Sequence, residues 1–133
     1  MLIDDNPDDN FFHEREIRKS NLVSKVITMN SGMQALQHLR SKAEPHADLI
    51  FLDINMPGMN GWEFLKEYNQ LDRALQGYAI VMMLTTSQNP DDKAKAEVSG
   101  NISEYITKPL TKEILKDIVD KYFKQQEHLR VSL

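Results

Sequence analysis

The 133-residue chain contains no cysteine. Disulfide bridges are excluded, and so are thiolate zinc centres. It has no long apolar run; nothing approaches the ~20 residues that cross a bilayer as a helix. The apolar start, Met1-Leu2-Ile3, is followed at once by acids, unlike a secretory signal. Positive charge is not in excess. Lys and Arg number 16 against 20 Asp and Glu, for a formal net charge of -4. A general nucleic-acid binder would carry a basic face. A cytoplasmic location, with neither nucleic acid nor membrane as partner, is expected.

What is present is ordinary for a globular domain, with 41% hydrophobic and 27% charged residues. A chain of this length can bury one real core. One domain over residues 1–126 is expected, with 127–133 as a tail. Apolar strands are expected at 1–3, 25–29, 49–52, 79–84 and 102–107. Pro7 after Asn6, with Asp8 and Asp9 in the first turn, starts a helix running to about Ser20. Phe11, Phe12 and Ile17 are its main apolar residues. Asn30-Ser31-Gly32 opens a second helix, with Leu36, Leu39 and Ala43 at helical spacing. Asn60 caps a third, with a stripe of Phe64, Tyr68, Leu71 and Leu75. Asn89 and Pro90 open a fourth, with Ala94 and Val98 on its apolar side. Thr111 caps the fifth, whose Leu115, Ile118, Val119 and Tyr122 share a face. The lysines Lys112, Lys116, Lys121 and Lys124 read as that helix's solvated side. Five strands alternating with five helices predict an α/β fold. It is a doubly wound, five-stranded parallel sheet of the flavodoxin-like (βα)5 kind, with strand order 2-1-3-4-5.

Right-handed crossovers put the C-terminal ends of parallel strands on one edge of the sheet. Asp4 and Asp5, Asp53, Thr85 and Lys108 all stand at such ends. In the order 2-1-3-4-5 their strands are neighbours, and the cleft opens between strands 1 and 3. Carboxylates gathered there repel, by ~4 kcal/mol for two charges about 4 Å apart at an effective dielectric near 20. A divalent cation removes that cost. Oxygen ligands without thiol or imidazole favour a hard ion, and magnesium fits best. None of His13, His38, His46 and His128 lies at these strand ends in sequence.

The set as a whole resembles a known signature. Asp4-Asp5, Asp53 in Asp53-Ile54-Asn55-Met56-Pro57-Gly58-Met59-Asn60-Gly61, Thr85 after an apolar strand, and Tyr105 shortly before Lys108-Pro109 carry the likeness. They resemble the response regulator receiver domain of two-component signalling, the family of the bacterial chemotaxis regulator. The resemblance covers nearly the whole chain. It implies that Asp53 takes a phosphoryl group from a phosphohistidine, on a sensor histidine kinase or a histidine phosphotransfer protein. It implies Asp5 and Asp53 as direct magnesium ligands, Asp4 as a water-mediated one, and the backbone carbonyl of Asn55 as another. Lys108 and the backbone amide of Thr86 would hold phosphoryl oxygens. Thr85 and Tyr105 would switch position, and the Lys108-Pro109 peptide would be cis. A stand-alone switch is expected, not itself an enzyme, a monomer or a phosphorylation-dependent dimer. It would bind a downstream protein through the fourth helix, fifth strand and fifth helix.

Other readings fit less well. A phosphorelay intermediate and a receiver-like module that is never phosphorylated are the alternatives. An aspartyl-nucleophile phosphatase would place a carboxylate two residues after the nucleophile, where this chain has Asn55. A flavin site needs a Ser, Thr and Gly-rich loop after the first strand. The acidic Asp5-Asn6-Pro7-Asp8 would repel its phosphate.

Overall fold

The computed structural model describes residues 1–42, 46–77 and 79–123. Its elements are β1 Leu2–Ile3, α1 Pro7–Ser20, β2 Thr28–Met29, α2 Gly32–Arg40, β3 Leu49–Leu52, α3 Gly61–Asn69, α4 Arg73–Gln76, β4 Ile80–Thr85, α5 Pro90–Val98, β5 Tyr105–Thr107 and α6 Lys112–Tyr122. All strand pairings are parallel, in the order β2-β1-β3-β4-β5. The expected tail, 127–133, lies outside the described residues, as do Ala43 and Lys124.

The sheet is buried on both faces, because successive side chains alternate between them. Ile3, Ile50, Leu52, Val81 and Met83 pack with Leu36, Phe64 and Tyr68 of α2 and α3. Leu2, Phe51, Met82 and Leu84 pack with Ile17 of α1 and Leu115 and Ile118 of α6. Lys112, Lys116 and Lys121 are exposed, as expected. No helix among the described residues is long and apolar enough to cross a membrane.

Several expectations are corrected. β2 is confined to Thr28–Met29, because β1 offers only Leu2 and Ile3 to pair with. β5 begins at Tyr105, although Ser103 and Glu104 already exchange hydrogen bonds with Val81 and Met83. The third helix stops at Asn69, so its stripe does not run on through Leu71 and Leu75. A separate turn of helix, α4, makes six helices among the described residues where five were expected. Gln76 Nε2 there donates to the Leu71 carbonyl at 2.7 Å, satisfying a group freed by the break. In α1 the inward stripe is Asn10, His13 and Ile17, while Phe11 is 69% exposed. In α5 the inward residue is Ala96, and Val98 is 85% exposed. Asp92 is hydrogen-bonded inward and lies one turn before Ala96, so it sets the rotation of that helix.

α3 starts against the backbone that carries Asp53. Asn60 and Glu63 form a reciprocal capping box, and Gly61 N–H donates to the Ile54 carbonyl at 2.8 Å. A Cβ on Gly61 would collide with the Asp53 carbonyl and come 2.9 Å from Ile54 Cα. Only glycine permits this approach. Gly61→Ala is therefore expected to lower stability by about 1–3 kcal/mol in urea unfolding. An unchanged midpoint would contradict the close packing of α3 on the end of β3.

Candidate functional site

Ladder hydrogen bonds carried one residue past the strands fix the backbone of the site. Asp4 N–H donates to Met29 O at 3.1 Å, and Asp53 N–H to Ile3 O at 3.0 Å. Lys108 N–H donates to Thr85 O at 2.9 Å. The Lys108-Pro109 peptide is cis. Each of these side chains thus leaves the same edge of the sheet.

They converge. One oxygen from each of Asp4, Asp5 and Asp53 lies within 4.8 Å of the others. Asp4 and Asp53 are buried, Thr85 is fully enclosed, and Asp5 is exposed at the mouth. Asp4 Oδ1 accepts the Asn6 N–H at 3.0 Å, and Asp53 Oδ1 accepts the Ile54 N–H at 2.8 Å. The donor set is oxygen only, which suits a hard divalent cation.

One buried ammonium faces these acids. Lys108 Nζ is 2.6 Å from Asp4 Oδ2, 2.7 Å from Asp9 Oδ2 and 3.4 Å from Asp53 Oδ2. Burial opposes its charge, but the hydrogen bonds it donates to Asp4 and Asp9 outweigh it and raise its pKa above the ordinary lysine range. The pKa of Asp53 is raised as well, which in an acid disfavours the charged form. Burial raises its pKa above 3.8, and the charge of Asp4 adds to this. The Thr85 hydroxyl, Lys108 and the Ile54 amide offset only part of the rise.

Sequence reasoning missed three residues here, all on α1. Asp9 was assigned only to the helix dipole, yet it grips Lys108. Asn10 Nδ2 donates to the Asp4 carbonyl at 2.8 Å, tying α1 to the end of β1. His13 is buried nearby, and burial together with the charge of Lys108 lowers its pKa. The available signal was helical spacing, since Asp9 and His13 lie four apart on one side of α1.

A second network surrounds the loop after β4. Ser87 N–H donates to Thr85 Oγ1 at 3.3 Å, and Tyr105 OH donates to the Ser87 carbonyl at 2.7 Å. Asp92 accepts the Ser87 hydroxyl at 2.6 Å and the Trp62 indole N–H at 2.9 Å. These contacts, from the Ser87 hydroxyl first, hold the Asp92 carboxyl below its ordinary pKa. Lys95 Nζ lies 5.6 Å over the Trp62 ring. Trp62, at the start of α3, is thus tied through Asp92 to Ser87 in the loop that follows Thr85. Asn55 and Thr86 are exposed at the rim.

A five-stranded parallel sheet with acids, a lysine and a hydroxyl at its carboxyl edge defines a flavodoxin-like protein with a charged switch-point pocket. The profile of the response regulator receiver domain matches residues 1–120. The chain belongs to that family, the receivers of two-component response regulators. A two-component response regulator from Cytophaga hutchinsonii superposes with a TM-score of 0.82 at 36% identity, over 90% of this chain and 92% of its own. A receiver protein from Dyadobacter fermentans superposes at 0.81 with 32% identity, over 92% and 94%. A response regulator of Synechocystis is 30% identical over 81% of this chain and 74% of its own length. A transcriptional regulatory protein of Halalkalibacterium halodurans is 32% identical over 77% of this chain, which spans only 42% of that protein. The chain spans 13% and 6% of two histidine kinases, from Pseudomonas protegens and Dictyostelium discoideum, that it also matches.

The raised pKa of Asp53 has a stability consequence. The folded chain binds that proton more tightly than the unfolded chain does. Its contribution to stability is therefore present at low pH. It is lost as pH rises through the window between 3.8 and the raised folded value. Asp53→Asn removes the charge, while Lys108 keeps Asp4 and Asp9. In chelator at pH 7 the variant is expected to be more stable than the parent by about 1 kcal/mol or more. That gap should narrow on acidification. A variant less stable at pH 7 would contradict this balance of charges.

Proposed function

We propose that Asp53 is a phosphoacceptor that takes a phosphoryl group from a phosphohistidine in a magnesium-dependent reaction. The observation that carries this reading is the buried Asp53 carboxylate beside Asp4, Asp5, Lys108 and Thr85. In the transfer an Asp53 oxygen bonds to phosphorus as the P–N bond breaks. The electron pair of that bond returns to the donor imidazole. Asp53 needs no general base once its carboxyl is ionised, and phosphoryl transfer asks mainly for positioning and charge neutralisation.

Magnesium, when bound, would neutralise charge on the acids and on the phosphoryl oxygens. Asp5 and Asp53 would hold it directly, Asp4 through water, with the Asn55 carbonyl completing the protein's share. Lys108 would pair with one phosphoryl oxygen as a point charge, and the Thr86 amide with another. Thr85 would turn its hydroxyl onto the phosphoryl group, leaving the Ser87 N–H. Tyr105, now hydrogen-bonded to the Ser87 carbonyl, would follow into the vacated space. The face of α5, β5 and α6 would change and recruit a downstream protein.

The donor would be a sensor histidine kinase or a histidine phosphotransfer protein, consistent with the named kinases among the relatives. The unit would be a receiver over about residues 1–126, acting in the cytoplasm as a switch and not as a turnover enzyme.

Incubation with acetyl phosphate and magnesium should add one phosphoryl mass at Asp53, read by intact-mass spectrometry. The adduct should vanish in chelator and in Asp53→Asn. Loading with beryllofluoride should change the fluorescence of Trp62, the only tryptophan, which is tied through Asp92 to the Ser87 loop. An adduct that persists in Asp53→Asn would overturn the assignment.

A further inference from the structure

The first turn of α1 brings Lys108 a carboxylate that no strand end supplies. Asp9 Oδ2 is 2.7 Å from Lys108 Nζ, nearly as close as Asp4 Oδ2 at 2.6 Å and closer than Asp53 Oδ2 at 3.4 Å. The Asp9 side chain is 36% exposed, whereas the Lys108 side chain is 8% exposed. Asp9 is held in place from both sides. The Asn6 side chain caps its N–H at 3.1 Å, and its neighbour Asn10 is bonded to the Asp4 carbonyl.

We propose that Asp9 is a positioning residue that holds Lys108 back from the phosphoryl site and so sets how tightly a phosphoryl group is retained on Asp53. This rests on Asp53 being the phosphoacceptor. An ammonium has three donors, and here they face three carboxylates. A cation bound by Asp4, Asp5 and Asp53 draws on the charge of two of those three. Asp9 is the one it leaves to the lysine. A phosphoryl oxygen on Asp53 must then take Lys108 from Asp9, exchanging one charge-assisted hydrogen bond for another. Asp9 thus competes directly with the phosphoryl group. Removing its charge leaves Lys108 free for the phosphoryl oxygen, so retention tightens.

The test titrates beryllofluoride into the full chain at saturating magnesium, with calorimetry as readout. Asp9→Asn is compared with Asp9→Glu and with Asp8→Asn. Asp9→Glu keeps a carboxylate that can reach Lys108. Asp8→Asn removes the same charge from an exposed position in the same turn. Asp9→Asn should bind about tenfold tighter, the step that 1.4 kcal/mol makes, with both comparison variants within about twofold of the parent. Asp9→Ser repeats the measurement should Asn at this position impair folding. Unchanged or weaker binding in both Asp9→Asn and Asp9→Ser overturns the inference. Equal tightening in Asp8→Asn overturns it too, since a general field would then suffice. Failure of the parent chain itself to bind beryllofluoride sinks the phosphoacceptor reading, and this inference with it. Binding by the parent with no response to Asp9 removes the role of Asp9 alone.

Discussion

The structure depends on one electrostatic arrangement, the Lys108 ammonium enclosed by Asp4, Asp9 and Asp53. Asp4, Asp5 and Asp53 gather at the carboxyl edge of the sheet, Asp9 reaches in from α1, and among the described residues Lys108 is the ammonium that faces them. Like charges at such separations cost several kcal/mol in a partly dry site. A single lysine offsets part of that cost. Burial, with the charge of Asp4 adding to it, leaves the pKa of Asp53 raised.

The fold delivers this crowding without strain in the strands. Parallel strands joined by right-handed crossovers must end on the same edge. Ladder hydrogen bonds that extend to Asp4, Asp53 and Lys108 hold the backbone of each at that edge. Apolar side chains above and below anchor the strands, so the polar ends have little freedom to spread apart. Gly61 lets α3 start directly against the Asp53 backbone. Ser87, bonded to Asp92, which also takes the Trp62 indole N–H, donates its own N–H to the Thr85 hydroxyl oxygen.

Much of this was legible in the sequence. Unbroken apolar runs ending in Asp53 and Thr85 marked buried parallel strands, and their order followed from the need to bring the polar ends together. The helix starts at Asn6, Asn60, Asn89 and Thr111 were readable because capping is a local interaction. Helix rotation was not readable where polar residues decide it. In α5 the hydrogen bonds of Asp92, not the apolar Ala94 and Val98, select the inward face. In α1 the buried Asn10 and His13 occupy positions that hydrophobic spacing would give to Phe11. Helical spacing could place Asp9 on the inward side of α1 with His13, but not name its partner, because Lys108 lies 99 positions away in the chain.

The central claim is that the carboxylates at the sheet edge act together as a site for a hard divalent cation. Isothermal titration of magnesium into the chelator-treated chain tests this most directly, with Asp5→Asn as the paired sample. The account predicts a single saturable site whose affinity drops sharply in Asp5→Asn. No uptake by the parent chain, or equal uptake by both, would contradict it.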